Sequence, residues 1–164
     1  MLSKAMLKAL NEQVTQEFYA SHLYLSMSAH FESANQPGFA RWMQVQSKEE
    51  NEHAMKLYKY IHDRNGRVTL DGVSKPPAEF KKPLDIMKQA LEHEKKVSAM
   101  INRLYEMAVK EKDYPTQVML QWFITEQVEE EKTASDIIEL LKQIGDAPAG
   151  LIMLDRQLGA RAGS

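Results

Sequence analysis

The feature that most constrains this chain is an acid and a histidine on the apolar face of one predicted helix. Glu50 and His53 lie three residues apart in the segment S-K-E-E-N-E-H, so a helix places them one above the other. Alternating steps of four and three give the predicted seam Phe39, Met43, Gln46, Glu50, His53, Leu57, Tyr60 and Arg64. Burying a carboxylate and an imidazole is costly unless a partner neutralises them. A bound metal ion is the first candidate.

Composition excludes several other kinds of site and partner. The chain of 164 residues is 43% hydrophobic and 27% charged, which suits one domain with a substantial core. It contains no cysteine, so disulfides, thiolate zinc sites, Fe–S clusters and cysteine nucleophiles are excluded. A formal charge of −2 gives no reason to expect a nucleic-acid partner. No apolar stretch has the length of a membrane span, so we expect a cytoplasmic protein without a membrane partner.

The sequence predicts a single all-α domain over residues 1–164. Asn65-Gly66 and Gly145 are helix terminators, whereas Pro83 and Pro115 suit first turns. Residues 67–82 lack a helical period and form a long connection. The predicted helices are α1 at about 4–33, α2 at about 39–64, α3 at about 83–111, α4 at about 115–144 and a short α5 at about 147–159. We predict a four-helix bundle with one long crossover between α2 and α3, so that these two helices run parallel.

Each of the other long helices also carries an acid in the middle of its predicted seam. The acids are Glu17 in α1, Glu94 in α3 and both Glu126 and Glu130 in α4, whose predicted seam also includes Thr133 and Leu140. A shift of 77 residues maps Glu17 onto Glu94, Glu50 onto Gln127 and His53 onto Glu130. The two hairpins therefore resemble copies that face each other across the bundle. This arrangement predicts a two-metal centre with ions about 3.5–4 Å apart.

The residue types indicate which metal and which chemistry. Carboxylates with one imidazole and no sulfur favour Fe, Mn or Zn over Cu(I). Two Fe(II) ions can each give an electron to oxygen, whereas zinc is redox-silent. Two-metal hydrolysis needs room for a substrate, and a narrow bundle core offers little.

On these residues the chain resembles the non-haem ferritins of bacteria and archaea over essentially its whole length. Glu17, Glu50-x-x-His53, Glu94 and the segment E-Q-V-E-E-E carry the resemblance. The second pair is Gln127-x-x-Glu130 and not Glu-x-x-His, which resembles the ferritin centre and differs from bacterioferritin. Residue 52 is Glu52, where bacterioferritins place a haem-binding methionine, so we expect no haem.

The resemblance implies a role for each site residue. Glu17, Glu50 and His53 would hold the first iron, and Glu94 with Glu130 would hold the second, with Glu50 bridging. Glu49, Glu126 and Glu129 would form a third iron site that shares Glu130. Tyr24 would act as an electron donor, Gln127 would orient oxygen beside the ligands, and Trp122 matches a nearby aromatic residue. The implied function is oxidation of Fe(II) by O₂ or peroxide and storage of the ferric mineral in a shell of twenty-four subunits.

Other interpretations remain open from the sequence. The chain could be a di-iron redox enzyme of the peroxidase or oxygenase type that forms no storage shell, or a structural shell that buffers metal without oxidising it. The third-site acids could instead form a solvated face. We interpret His22, His30, His62 and His93 as surface or interface residues, and we expect the apolar stripe of α5, Leu151, Ile152, Leu154 and Leu158, to contact another subunit.

Overall fold

The computed structural model of the chain describes residues 1–163, which form five α-helices and no β-strand. Four helices are long and the fifth is short: α1 (Lys4–Ser33), α2 (Pro37–Asp63), α3 (Pro83–Glu111), α4 (Tyr114–Ile144) and α5 (Pro148–Gly159). The predicted all-α fold is confirmed. Helix α2 begins slightly earlier than predicted because Pro37 fits the first turn of a helix. No helix in the described residues is long and apolar enough to cross a membrane.

Local sequence signals explain where the helices begin and end. Ser3 caps α1 by accepting the backbone N–H of Met6 at 3.0 Å, and Asp113 caps α4 through the N–H of Thr116 at 3.3 Å. The other three helices have proline in the first turn. Asn65, just after the end of α2, adopts a φ of 55°, as the predicted Asn-Gly terminator requires.

The crossover between α2 and α3 follows α1 from one end of the bundle to the other. Near the start of α1, the N–H of Thr69 donates to Asn11 Oδ1 at 2.7 Å. Near the end of α1, Ser26 Oγ donates to the carbonyl of Pro77 at 2.5 Å. The chain therefore leaves α2 at one end and starts α3 at the opposite end, so α2 and α3 run parallel, as predicted.

Two apolar clusters fill the two ends of the bundle. The upper cluster lies near the α1–α2 turn and includes Phe31, Phe39 and Met87, all fully buried. The lower cluster includes Leu57 and Ile101, also fully buried. Each large apolar side chain stabilises the fold by about 1.5–3 kcal/mol when it is buried. Between the clusters most of the buried side chains are polar, and each long helix contributes one acid there: Glu17, Glu50, Glu94 and Glu130.

Helix α5 packs on its own chain. Leu154 and Leu158 are 4% and 8% exposed and belong to the upper cluster. Asp155 Oδ1 accepts the N–H of Phe39 in the first turn of α2 at 2.9 Å. The prediction of a subunit contact is therefore wrong for Leu154 and Leu158, because the first turns of α2 offer them a surface on which to be buried. It stays a prediction for Ile152, which is 56% exposed.

Glycine at position 38 makes the close approach of α5 to α2 possible. A Cβ atom at Gly38 would lie 1.6 Å from the backbone oxygen of Asp155. We therefore expect Gly38→Ala to push α5 away and to lower the free energy of unfolding by about 1–3 kcal/mol, as overpacking does. Thermal unfolding measures the change. The control is Gly72→Ala, because nothing lies within 4 Å of a Cβ atom there. Equal melting temperatures for the two variants would contradict the prediction.

Candidate metal centre

Each of the four long helices contributes one buried carboxylate to a single layer at the middle of the bundle. Glu17, Glu50 and Glu94 are at most 1% exposed, and Glu130 is 9% exposed. His53 lies in the same layer, one helical turn from Glu50, with its Nδ1 atom 3.1 Å from Glu50 Oε2. The structure therefore brings together the five residues that the sequence predicts as ligands of two metal ions.

The ligand atoms of these residues fall into two groups. In one group, atoms of Glu17, Glu50 and His53 all lie within 4.8 Å of one another, and in the other those of Glu50, Glu94 and Glu130 do. Glu50 belongs to both groups, so its two oxygen atoms can serve two adjacent cations. Oxygen atoms with one imidazole nitrogen form a donor set that Fe(II), Mn(II) and Zn(II) accept.

One atom of the layer lacks a partner. Glu17 Oε2 is buried and makes no hydrogen bond within the described residues. Buried polar atoms are nearly always satisfied, so an orphaned carboxylate oxygen inside a group of acids indicates a place for a cation or a proton. The residues present thus fit a divalent metal.

Two glutamine side chains fix the carboxylates of the first hairpin. Gln13 Nε2 donates to Glu17 Oε1 at 2.8 Å. Gln46 Nε2 donates to Glu50 Oε1 at 3.1 Å and to Glu130 Oε2 at 2.7 Å, and therefore joins the two hairpins. These amides are neutral, so they orient the carboxylates and leave their negative charge available to a cation.

Tyr24 and Gln127 both contact Glu94. The hydroxyl of Tyr24 donates to Glu94 Oε1 through a short hydrogen bond, and Gln127 Nε2 donates to Glu94 Oε2 at 3.1 Å. Gln127 also donates to the backbone oxygen of Glu94 at 3.2 Å and to Ser98 Oγ at 3.3 Å. Burial first, and then the charge of Glu94, raise the pKa of Tyr24 well above its ordinary value, so this residue remains a donor.

Crowding of acids in a dry layer changes their protonation. Burial, followed by the charge of Glu50, raises the pKa of Glu17 to about 8. Burial, followed by the charge of Glu94, raises the pKa of Glu130 to about 7. Burial also raises the pKa values of Glu50 and Glu94. Without metal the centre therefore holds protons near neutral pH, and a bound cation would displace them.

The third-site acids are only partly assembled. Glu126 places a ligand atom within 4.8 Å of atoms of His53 and Glu130. Glu49 instead accepts a hydrogen bond from Arg161 Nη2 at 2.5 Å, and Glu129 is exposed. In the described part of the chain, Glu49 and Glu129 belong to none of the potential metal groups. The third iron site stays a prediction.

Other aromatic and histidine residues lie around the centre. The ring of Trp122 is 5.4 Å from that of His53 and carries Lys56 Nζ 4.1 Å from its centroid, yet Trp122 is 38% exposed and is not a core residue. His22 and His62 are exposed, as interpreted. His93 is only half-buried, but its Nε2 atom is buried, and burial followed by the charge of Lys96 lowers its pKa to about 4.

The predicted seam of α4 is displaced from the observed one. Thr133 and Leu140 are exposed, whereas the residues one position further along, Ala134 and Leu141, are buried. The shift places Gln127 with Glu130 on the inner face and leaves Glu126 half-buried. The buried residues also alternate by three and four: Leu120, Phe123, Gln127, Glu130, Ala134, Ile137 and Leu141. The predicted seam shares Phe123, Glu130 and Ile137 with this face, but because it starts at Met119 its steps of four and three fall in the reverse order and miss the residues between them.

Three polar residues at the centre escape the sequence analysis. Gln46 appears in the predicted seam without a role, and Gln13 and Arg161 do not appear at all. A glutamine four residues before a seam acid, in both α1 and α2, is a signal that could have identified both amides, because such residues are neighbours on a helix. Arg161 lies beyond the last predicted helix, where no periodic pattern reaches.

A bundle of four long helices with carboxylates and one imidazole at its centre belongs to the class of helical proteins that hold paired metal ions. The family described as Ferritin-like domain matches residues 7–144. A bacterial non-heme ferritin of Bacteroides fragilis strain 638R is 42% identical over 161 residues, which cover 98% of this chain and 100% of that protein. One from Staphylococcus epidermidis strain RP62A is 41% identical over 162 residues, with 99% and 98% covered.

Solved structures agree with these relatives. The open pore ferritin from the hyperthermophilic archaeon Archaeoglobus fulgidus is 44% identical, with a TM-score of 0.98 and coverage of 99% of this chain and 100% of that one. A closed form of the same ferritin, engineered by site-directed mutagenesis, has a TM-score of 0.99 at 44% identity and covers both chains completely. The chain belongs to the ferritin family. It is an iron-storage protein, and no finding favours a di-iron enzyme that forms no storage shell.

The raised pKa values predict how the stability of the metal-free protein depends on pH. The pKa of Glu17 is about 8 in the folded state and near its ordinary value of 4.5 in the unfolded state, so the folded state binds more protons between these limits. Stability from this group is therefore lost as the pH rises from about 5 to about 8. We expect Glu17→Gln to remove this contribution. The melting temperature of the variant minus that of the parent should therefore increase as the pH rises.

Thermal unfolding in the presence of a chelator, at several pH values, measures this difference. Glu12→Gln, which changes an exposed acid on the same helix, is the control and should follow the parent at every pH. A gap between Glu17→Gln and the parent that stays constant with pH would contradict the prediction.

Proposed function

We propose that this ferritin is a ferroxidase that oxidises Fe(II), its substrate, at the layer of buried acids before storage. The observation that carries the proposal is that Glu50 belongs to both groups of ligand atoms. A shared carboxylate brings two Fe(II) ions into one site, which is what a two-electron transfer to a single oxidant requires. Glu17 and His53 complete the first position, and Glu94 and Glu130 complete the second.

The proposed reaction transfers two electrons from two Fe(II) ions to one molecule of oxidant. Each of two Fe(II) ions gives up one electron and becomes Fe(III). With O₂ as the oxidant, the two electrons and two protons give one hydrogen peroxide. With peroxide as the oxidant, the two electrons and two protons break the O–O bond and give two waters.

Gln127 and Tyr24 support the second position. Both donate to Glu94, so they set the direction in which its carboxylate faces the substrate. Tyr24 is 1% exposed and its phenol proton already has an acceptor in Glu94, which favours loss of an electron with transfer of that proton. We therefore assign Gln127 to orientation and Tyr24 to electron donation. An electron from Tyr24 is used when O₂ is reduced to two waters: three Fe(II) ions and the phenol supply four electrons, which combine with four protons, and a later Fe(II) ion reduces the oxidised tyrosine.

The outer acids supply a further position in this proposal. Glu126 lies beside Glu130 and His53, and its repeat equivalent Glu49 flanks the first hairpin. Together with Glu129 these residues would hold a third iron ion that shares Glu130. We propose no haem, because residue 52 is a glutamate that pairs with Lys48 at the surface.

Apolar side chains on the surface of the isolated chain support assembly into a homo-oligomeric shell, for which we propose twenty-four subunits. Val118 and Val128 of α4 are each 67% exposed, and Met153 of α5 is 72% exposed. Exposed apolar residues on a stable bundle favour contacts with other copies.

Loss of one ligand tests the oxidation chemistry. We expect Glu17→Gln to fold normally and to lose fast oxidation of Fe(II), because one ligand group then lacks an anion. An effect of roughly 100-fold or more on the initial rate is of the size seen when a well-placed charged group is removed. Stopped-flow absorbance of Fe(III), together with oxygen consumption, measures the rate.

Glu12→Gln is again the matched control and should oxidise Fe(II) at the parental rate. The ferroxidase assignment is refuted if Glu17→Gln still oxidises two Fe(II) ions per chain at the original rate.

The size of the assembly tests the proposed shell. Twenty-four copies of an 18.8 kDa chain give a particle of about 450 kDa. Light scattering after gel filtration should give this mass for the iron-free protein. A stable dimer at all concentrations would overturn the proposed shell.

A further inference from the structure

Arg161, two residues after the end of α5, reaches back to the edge of the candidate metal centre. Arg161 Nη2 donates to Glu49 Oε2 at 2.5 Å, and Arg161 Nη1 donates to Gln46 Oε1 at 3.1 Å. The side chains of Arg161 and Glu49 are each 24% exposed, so this ion pair is largely shielded from solvent. Hydrogen bonds between charged groups in such surroundings are among the stronger ones in proteins.

The guanidinium is held in this position from several sides. Its carbon lies 4.8 Å from the centroid of the Trp42 ring, within the range of a cation–π interaction. The backbone that presents it is fixed by α5, through the buried side chain of Leu158 and the hydrogen bond between Asp155 and Phe39. Arg161 is therefore a positioned cation.

Arg161 also decides which end of Gln46 faces the acids. A guanidinium has donors and no acceptor, so the amide oxygen of Gln46 must face Arg161. The amide nitrogen then faces Glu50 and Glu130, to which it donates. The ion pair at Glu49 is thus connected to both ligand groups through one amide.

Glu49 itself is close enough to the centre to matter electrostatically. Burial and the charge of Glu94 are the main causes of the raised pKa of Glu130, and the charge of Glu49 adds to them. A cation that binds Glu49 therefore lies next to the ligand groups, and in this structure that cation is the guanidinium of Arg161.

We propose that Arg161 occupies the cation position beside Glu49 and so competes with metal for this carboxylate. The inference deepens the proposed function, on which it rests: it concerns the outer position next to the two main ones. Metal reaches Glu49 only when the guanidinium leaves, whereas the groups that share Glu50 stay available. Arg161 is thus a specificity-determining residue that keeps metal at the outer position weakly bound.

Titration with Zn(II) tests the proposal without relying on oxidation, because zinc is redox-silent. Isothermal calorimetry of the intact assembly should show two tight sites per chain and a weaker outer site in the parent. In Arg161→Gln the outer site should bind Zn(II) about tenfold more tightly or better, the size expected when a charged hydrogen bond no longer opposes binding. Arg156→Gln, an exposed arginine of α5, controls for the loss of one positive charge.

Two further variants separate competition from a general effect on packing. Arg161→Lys keeps a positive charge near Glu49 but loses the planar fork that bonds both Glu49 and Gln46, so its outer site should bind Zn(II) less tightly than that of Arg161→Gln. The double variant with Glu49→Gln and Arg161→Gln should not bind Zn(II) more tightly at the outer site. The carboxylate that Arg161→Gln makes available to the metal is absent from it. Melting temperatures establish that each variant is folded.

Unchanged affinity at the outer site in Arg161→Gln, or an equal gain in Arg156→Gln, would overturn the inference. The difference in outer-site affinity between the variants tests the role of Arg161, whatever the number of tight sites in the parent. Failure of the parent to bind two Zn(II) per chain would instead count against the ferroxidase centre, so the two proposals fail in different ways.

Discussion

The repulsion among four carboxylates in one layer of the bundle is the constraint on which the rest of the structure depends. Buried acids this close together cannot all be charged unless cations lie between them. In residues 1–163 no lysine or arginine side chain pairs with these four acids: amides and a phenol hold the carboxylates from outside. Because those donors are neutral, they leave the carboxylates able to bind a cation or a proton. The apolar clusters on either side provide the stabilisation that offsets the cost of the layer.

The arrangement of donors follows from this requirement. Close to the acids, the contacts come from Gln13, Gln46, Gln127 and Tyr24, which carry no charge. The full positive charge of Arg161 is placed at the rim, on Glu49, and reaches the inner acids only through Gln46. An arginine one layer further in would pair with the buried carboxylates and neutralise them.

Much of this fold and its central site can be predicted from the sequence, for physical reasons. Helix ends follow from Asn65 and the prolines, because these residues act through their own backbone. The layer of buried acids follows from the repeat of 77 residues, since acids at matching heights in a bundle must meet. The register of α4 and the burial of Leu158 cannot be predicted in this way, because they depend on how the helices rotate and on a surface that another helix creates. Arg161 is hidden for the same reason: its partner lies 112 residues away along the chain.

The two separate apolar clusters have a consequence for how such a protein changes over generations. The two clusters hold the helices together on either side of the layer of acids, and within the layer Gln46 joins the two hairpins. We therefore expect substitutions of single acids to leave the framework in place. The two halves of the repeat already differ in this way, because His53 of the first half corresponds to Glu130 of the second. A hairpin repeat can in this way acquire two unlike halves without a new fold.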